Sequence, residues 1–133
     1  MRIDPRTTAL LVVDLQDDTV GEQGAFADPG APAFARDHDV VENVMRLVEA
    51  CRAAERQVIH VWHVDEPGDR DSTRNPDLFR GIAAAEALVR GTWGAQPVHG
   101  LEAHDGDVVV EKQRYALTTV ATRATVDEVI AVL

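Results

Sequence analysis

Two residues at opposite ends of the chain have types and positions suited to chemistry. Asp14 closes the largely apolar run Thr8-Ala9-Leu10-Leu11-Val12-Val13, and Lys112 stands two residues after Val108-Val109-Val110. Apolar runs of this length suit central strands of a parallel sheet covered on both faces. In open α/β sheets, ligands bind beyond the carboxyl ends of the strands. A carboxylate and an ammonium at two such ends could share one crevice, and their attraction would be strong where water is scarce. The bland alternative is that each is a cap or turn residue. Other candidates are weaker. Cys51 is the only cysteine, which excludes an internal disulfide. It falls on the apolar face of a helical pattern, where a buried, inert thiol is expected. His60 and His63 lie three apart in a strand pattern, so their side chains leave opposite faces and cannot readily share an ion. No metal site is expected. Asp65, Glu66, Asp69 and Asp71 around Arg70 read as solvated loop charge.

The elements that must position Asp14 and Lys112 follow from periodicity and punctuation. After the first strand, Gly21 to Pro32 reads as a loop. Asp39 and Glu42 have capping-box spacing, with Asp39 as N-cap, and Val41, Val44, Met45, Val48 and Cys51 recur at helical intervals. Gln57 to Val64 reads as a second strand. Strand, helix and strand over this length make a βαβ unit, hence a parallel sheet. Asn75-Pro76 has the look of an N-cap with proline at the first helical position, and a short helix is expected over Ala83 to Leu88, ending near Gly91. Val108–Val110 is the third strand. Thr125 and Glu128 form another capping box, opening a final helix through Ile130, Val132 and Leu133. The sequence stops on an apolar helical residue with no cap, so a fragment is expected.

Composition bounds the partners. With 133 residues, the chain is read as one domain; 13 Lys and Arg against 23 Asp and Glu give a net charge of −10. Such acidity repels phosphate backbones, so nucleic acid is not an expected partner. No apolar run approaches the ~20 residues of a membrane span, and the start lacks the pattern of a signal peptide. A cytoplasmic location is expected. There is no G-x-G-x-x-G and no Walker pattern, so a Rossmann-like fold would not imply a nucleotide here. No cofactor is expected.

Three segments carry a family resemblance. Thr8 to Gln16 resembles the opening signature of the isochorismatase-like cysteine hydrolases, Gly91-Thr92-Trp93-Gly94-Ala95 a second family segment, and Gly106 to Tyr115 the segment holding the family's lysine. The resemblance spans residues 7 to 133 and implies the N-terminal two-thirds of a Rossmann-like, three-layer α/β sandwich with a parallel sheet, its C-terminal strands missing. It implies hydrolysis of a small amide or related C–N bond by an Asp-Lys-Cys triad: Asp14 as general base, Lys112 stabilising the thiolate, and a cysteine beyond this chain attacking the carbonyl. Gln16 and Trp93 are expected to contact substrate, although a packed anchor is an alternative for Trp93. Isochorismatase-type cleavage of a vinyl ether without cysteine, and a non-catalytic binding module, remain open. Aligning Val120–Val126 with the nucleophile segment would put Thr125 at the cysteine position. Thr19 stands where the family often has an aromatic residue. A small-molecule substrate, a homo-oligomer when complete, and little activity from the 133 residues alone are the remaining expectations. An apolar first strand without its fourth-strand neighbour would be an open edge.

Overall fold

A computed structural model describes residues 7–27, 30–68 and 77–113 (backbone only for 77–79). The elements in chain order are β1 (Leu10–Val13), α1 (Asp17–Val20), α2 (Ala31–Asp37), α3 (Val40–Ala53), β2 (Val58–His63), α4 (Asp77–Ala84) and β3 (Val108–Lys112). The strands form a parallel sheet in the order β1-β2-β3. This is an α/β fold with the βαβ unit expected from β1, α3 and β2.

Register fixes what each strand contributes. Val12 lies opposite His60, and His63 opposite Lys112. Because side chains alternate, Leu10, Val12 and Val58 meet α3, forming a core of Val12, Val48, Val58 and Leu101 with Val41, Val44, Met45 and Cys51 against it. The opposite face gathers Ile59, Val61 and Val110, flanked by Ala9 and Val108. A third cluster, Ile82, Ala87 and Leu88 with Phe26, lies beyond the strand ends. Among the described residues β1 is an edge of the sheet. Val12 is covered, whereas Leu11 and Val13 on the other face are 51% and 46% exposed.

Several boundaries differ from the sequence reading. Asp39 is not a side-chain N-cap: it has φ 49° and makes no capping hydrogen bond. Helix α2, unforeseen in a stretch rich in Gly and Pro, ends at Asp37, leaving only His38 and Asp39 to turn the chain. A left-handed residue makes that corner, and Asp tolerates it better than most. Pro32 sits in the first turn of α2, where its missing N–H costs nothing. The helix expected at Ala83–Leu88 lies earlier, at Asp77–Ala84, because Glu86 (φ 49°) and Leu88 (φ 57°) are left-handed and incompatible with its continuation. Asn75-Pro76, the capping box at Thr125 and the final helix lie outside the described residues.

A buried polar cluster ties α3 to the sheet. Arg52 pairs with Asp107 in the turn before β3, and Asp107 also accepts from the backbone N–H of His104 and lies 3.3 Å from Nε2 of His60. Burial pushes the Asp107 carboxyl up, but its hydrogen bonds from Arg52 and His104 and the Arg52 charge together hold it below the usual range. Burial also holds His60 below the ordinary imidazole value, against the pull of Asp107.

Candidate active site

The carboxyl ends of the three strands converge on a cavity of about 230 Å³ lined by Asp14, Thr19, Phe26, His63, Ile82, Leu88 and Lys112. Lys112 is the last residue of β3, not a residue beyond it, and is 2% exposed. Its Nζ donates to Oδ2 of Asp14 at 2.8 Å. The second carboxylate oxygen, Oδ1, is buried and has no hydrogen-bond partner among the described residues. A buried acceptor of this kind, beside an ion pair on a cavity wall, is a place for a proton to go.

Backbone conformation brings the pair together. By strand alternation Asp14 would follow Val12 toward α3, whereas Lys112 shares the opposite face with Val110. Asp14 instead has φ 56°, a left-handed conformation that re-aims its side chain. Its amide still donates to the Val61 carbonyl at 2.9 Å, as the last bond of the ladder. The Thr19 hydroxyl lies 2.5 Å from the Asp14 carbonyl oxygen and also takes a hydrogen bond from the Gln16 amide. Thr19 therefore both lines the cavity and holds the turn that aims Asp14.

Gln16 has a different place from the one the sequence suggested. It is fully buried. Its Nε2 donates to the carbonyls of His63 and Ala95 at 2.9 and 2.8 Å, and its Oε1 accepts from the His63 amide at 2.8 Å. Both donors and an acceptor site are committed to the backbone, so Gln16 joins the β1 loop to β2 and to residue 95 and does not face the cavity. Trp93 is 53% exposed and is not among the cavity-lining residues. Its segment instead clamps the β1 loop: the Gly94 carbonyl accepts from the Asp18 amide, and the Gln96 carbonyl from that of Asp17. Gly94 packs directly on the Asp18 carboxylate, leaving no room for a Cβ.

The apolar lining residues Phe26, Ile82 and Leu88, and two polar residues at the site, were not singled out for it in the sequence. Asp18 is buried and accepts from the amides of Ala25 and Leu88, anchoring two cavity walls to α1. His63 lines the cavity beside Lys112, with its Nε2 3.4 Å from Oδ1 of Asp65. Burial, and then the Lys112 ammonium, hold its imidazole below the ordinary value despite Asp65 and Asp14. The only sign of His63 in the sequence was its place at the end of an apolar strand. His60, three residues back, faces Asp107, so the two imidazoles are apart. Cys51, partly buried against the α3 core, is not a cavity residue. Among the described residues no group of three His, Cys, Asp or Glu side chains could hold a metal ion, and no helix is long and apolar enough to cross a membrane.

The chain is similar to known proteins in sequence and in fold. A ureidoacrylate amidohydrolase from Rhizobium rhizogenes is 29% identical over 126 residues, covering 86% of this chain and 51% of its own length. A probable inactive nicotinamidase from Arabidopsis thaliana is 34% identical over 106 residues, covering 77% of this chain and 49% of its own. The crystal structure of a cysteine hydrolase from Pseudomonas syringae superposes with a TM-score of 0.66 at 27% identity, covering 86% of this chain and 50% of that one. The chain thus spans about half the length of the curated relatives it matches. The family model of the isochorismatase domain matches residues 8–126, most of the sequence, and the chain belongs to the isochorismatase family of hydrolases.

Proposed function

We propose that this chain supplies the carboxylate and the ammonium of a hydrolase that cleaves a small amide or related C–N bond. The observation that carries the reading is the Asp14–Lys112 pair, 2.8 Å apart at a cavity wall, with Oδ1 of Asp14 left as an acceptor. The relatives named as an amidohydrolase and a cysteine hydrolase support the reaction class. In this reading the nucleophile is a cysteine encoded beyond residue 133. Asp14 takes the thiol proton, and Lys112 balances the negative charge of the site. Sulfur attacks the carbonyl carbon, and the C–N bond breaks as Asp14 returns the proton to the leaving nitrogen. Water, deprotonated by Asp14, then releases the acid and restores the thiol. The 133 residues alone, with Cys51 in the α3 core, do not turn over an amide.

One observation favours a second reading, a non-catalytic small-molecule module: the 34%-identical Arabidopsis relative is itself named as probably inactive. Sequencing the codons after Leu133 and assaying the complete product for ammonia release separates the two. In a complete enzyme, Asp14→Asn lowers kcat/KM by roughly 10²–10⁴, the usual contribution of a general base. Unchanged turnover in that variant removes Asp14 from the mechanism.

A further inference from the structure

The cavity walls specify more than a reaction class. Away from the ion pair, the lining side chains are Phe26, Ile82 and Leu88, with the Thr19 hydroxyl held at the Asp14 and Gln16 backbone. Phe26, Ile82 and Leu88 form one apolar cluster, and Asp18 fixes the backbone beneath two of them through the amides of Ala25 and Leu88. This wall is a built surface with anchored main chain. Among the described lining residues Lys112 is the only ammonium or guanidinium, and it is already paired with Asp14. The remaining titratable group on the wall, His63, is kept toward its neutral form by burial and by Lys112. The groups facing it are Asp14, Lys112 and Asp65. A carboxylate brought against Phe26, Ile82 and Leu88 would lose its hydration and find no counter-ion among the described lining residues. An ammonium would meet the same apolar wall. At about 230 Å³, the cavity is smaller than the ~300–1,000 Å³ pockets that hold drug-sized ligands.

We propose that this cavity selects a compact, uncharged amide with an apolar or aromatic body, the body lying against Phe26, Ile82 and Leu88 and the carbonyl toward Asp14 and Lys112. The inference rests on the hydrolase reading for the word amide. Its selection rule, uncharged over charged, stands on the walls alone.

The test is binding, read apart from turnover. The 133-residue chain is titrated with 4-methylbenzamide, 4-carbamoylbenzoate and 4-(aminomethyl)benzamide, which share one body and one amide and differ in the charge at the far end. Affinities come from ligand-observed NMR, with Ile82→Ala as the control that the cavity is the binding site. The methyl compound is expected to bind at least about tenfold more tightly than either charged one, because a buried unpaired charge forfeits its hydration. Ile82→Ala, which trims the wall without adding charge, weakens the methyl compound and leaves the charged pair little changed. Ile82→Lys, checked for a retained fold by circular dichroism, moves the preference toward the carboxylate.

Equal affinities, preference for either charged compound, or no binding of the methyl compound at millimolar concentration each overturn the selection rule. Binding of the methyl compound that Ile82→Ala leaves unchanged also overturns it. Ammonia release from the same three compounds by the complete protein is scored separately. Selective binding without turnover sinks the hydrolase reading and leaves the selection rule standing. Turnover favouring the carboxylate does the reverse.

Discussion

Replacing Gln16 by leucine tests whether this side chain is a framework group or a substrate contact. Leucine has similar bulk and no polar atoms. It removes two donors and one acceptor from a site with no solvent exposure, and it deprives the His63 amide, the His63 carbonyl and the Ala95 carbonyl of the partners they have at 2.8–2.9 Å. Each orphaned buried group costs about 1–3 kcal/mol, the carbonyls toward the low end because an oxygen has two lone pairs. The sum is about 3–5 kcal/mol, a large part of the stability of any domain this size. For a chain of this length the midpoint of thermal unfolding should fall by roughly 10–25 °C, since each kcal/mol shifts it by about 3–5 °C. Urea unfolding followed by far-UV circular dichroism measures the loss directly, as a lower midpoint at an unchanged slope. Trp93→Ala is the contrast: half exposed, it should cost about 1 kcal/mol or less. A Gln16→Leu chain within about 1 kcal/mol of the parent would refute the framework role and return Gln16 to the candidates for substrate contact.

Acid should weaken the fold in a defined window. His60 and His63 are both held below the ordinary imidazole value, chiefly by burial, so the unfolded chain takes up protons before the native one does. Their contribution is complete above about pH 6.5 and is lost as the pH falls through their lower native values. Urea midpoints that stay level, or rise, between pH 7.5 and 5 would contradict this. Gly94→Ala forces a Cβ into the Asp18 carboxylate, which holds the Ala25 and Leu88 amides; a loss of about 1–3 kcal/mol is expected on the same urea assay. Leu11→Lys places a charge on the exposed face of the β1 edge, and light scattering at rising concentration should show less self-association than the parent chain.

What could be read from the sequence was local. The strands announced themselves by apolar runs, and Asp14 and Lys112 by standing at the ends of such runs. The helix carrying Val41, Val44 and Val48 followed from its period. What could not be read depends on partners distant in the chain. His63 belongs to the site because it is paired in register with Lys112, a fact of strand alignment that neither segment contains alone. Gln16 was expected to contact substrate because it closes the segment Thr8–Gln16 that resembles the family's opening signature. The partners that hold it in the interior, His63 and Ala95, are 47 and 79 residues away. Helix α2 was hidden by Gly30 and Pro32, residues typical of loops that here begin a helix. The early end of α4 is set by two left-handed residues, Glu86 and Leu88, neither of a type that signals such a conformation. The mutual approach of Asp14 and Lys112 was expected, but the means, a main-chain torsion at Asp14, has no sequence marker.

That torsion has a consequence for how position 14 can change. The direction in which the side chain leaves is written into the main chain, and the rotamer only completes it. Position 14 therefore works as a socket, delivering whatever short side chain it carries to the same address beside Lys112. Asparagine or glycine fits the socket, since both occupy left-handed backbone at little cost; valine, isoleucine and threonine do not, because a branched Cβ collides with the backbone there. Chemistry at this address can be rewritten by exchanging one small polar group for another, whereas enlarging the side chain at its root would first require rebuilding the turn.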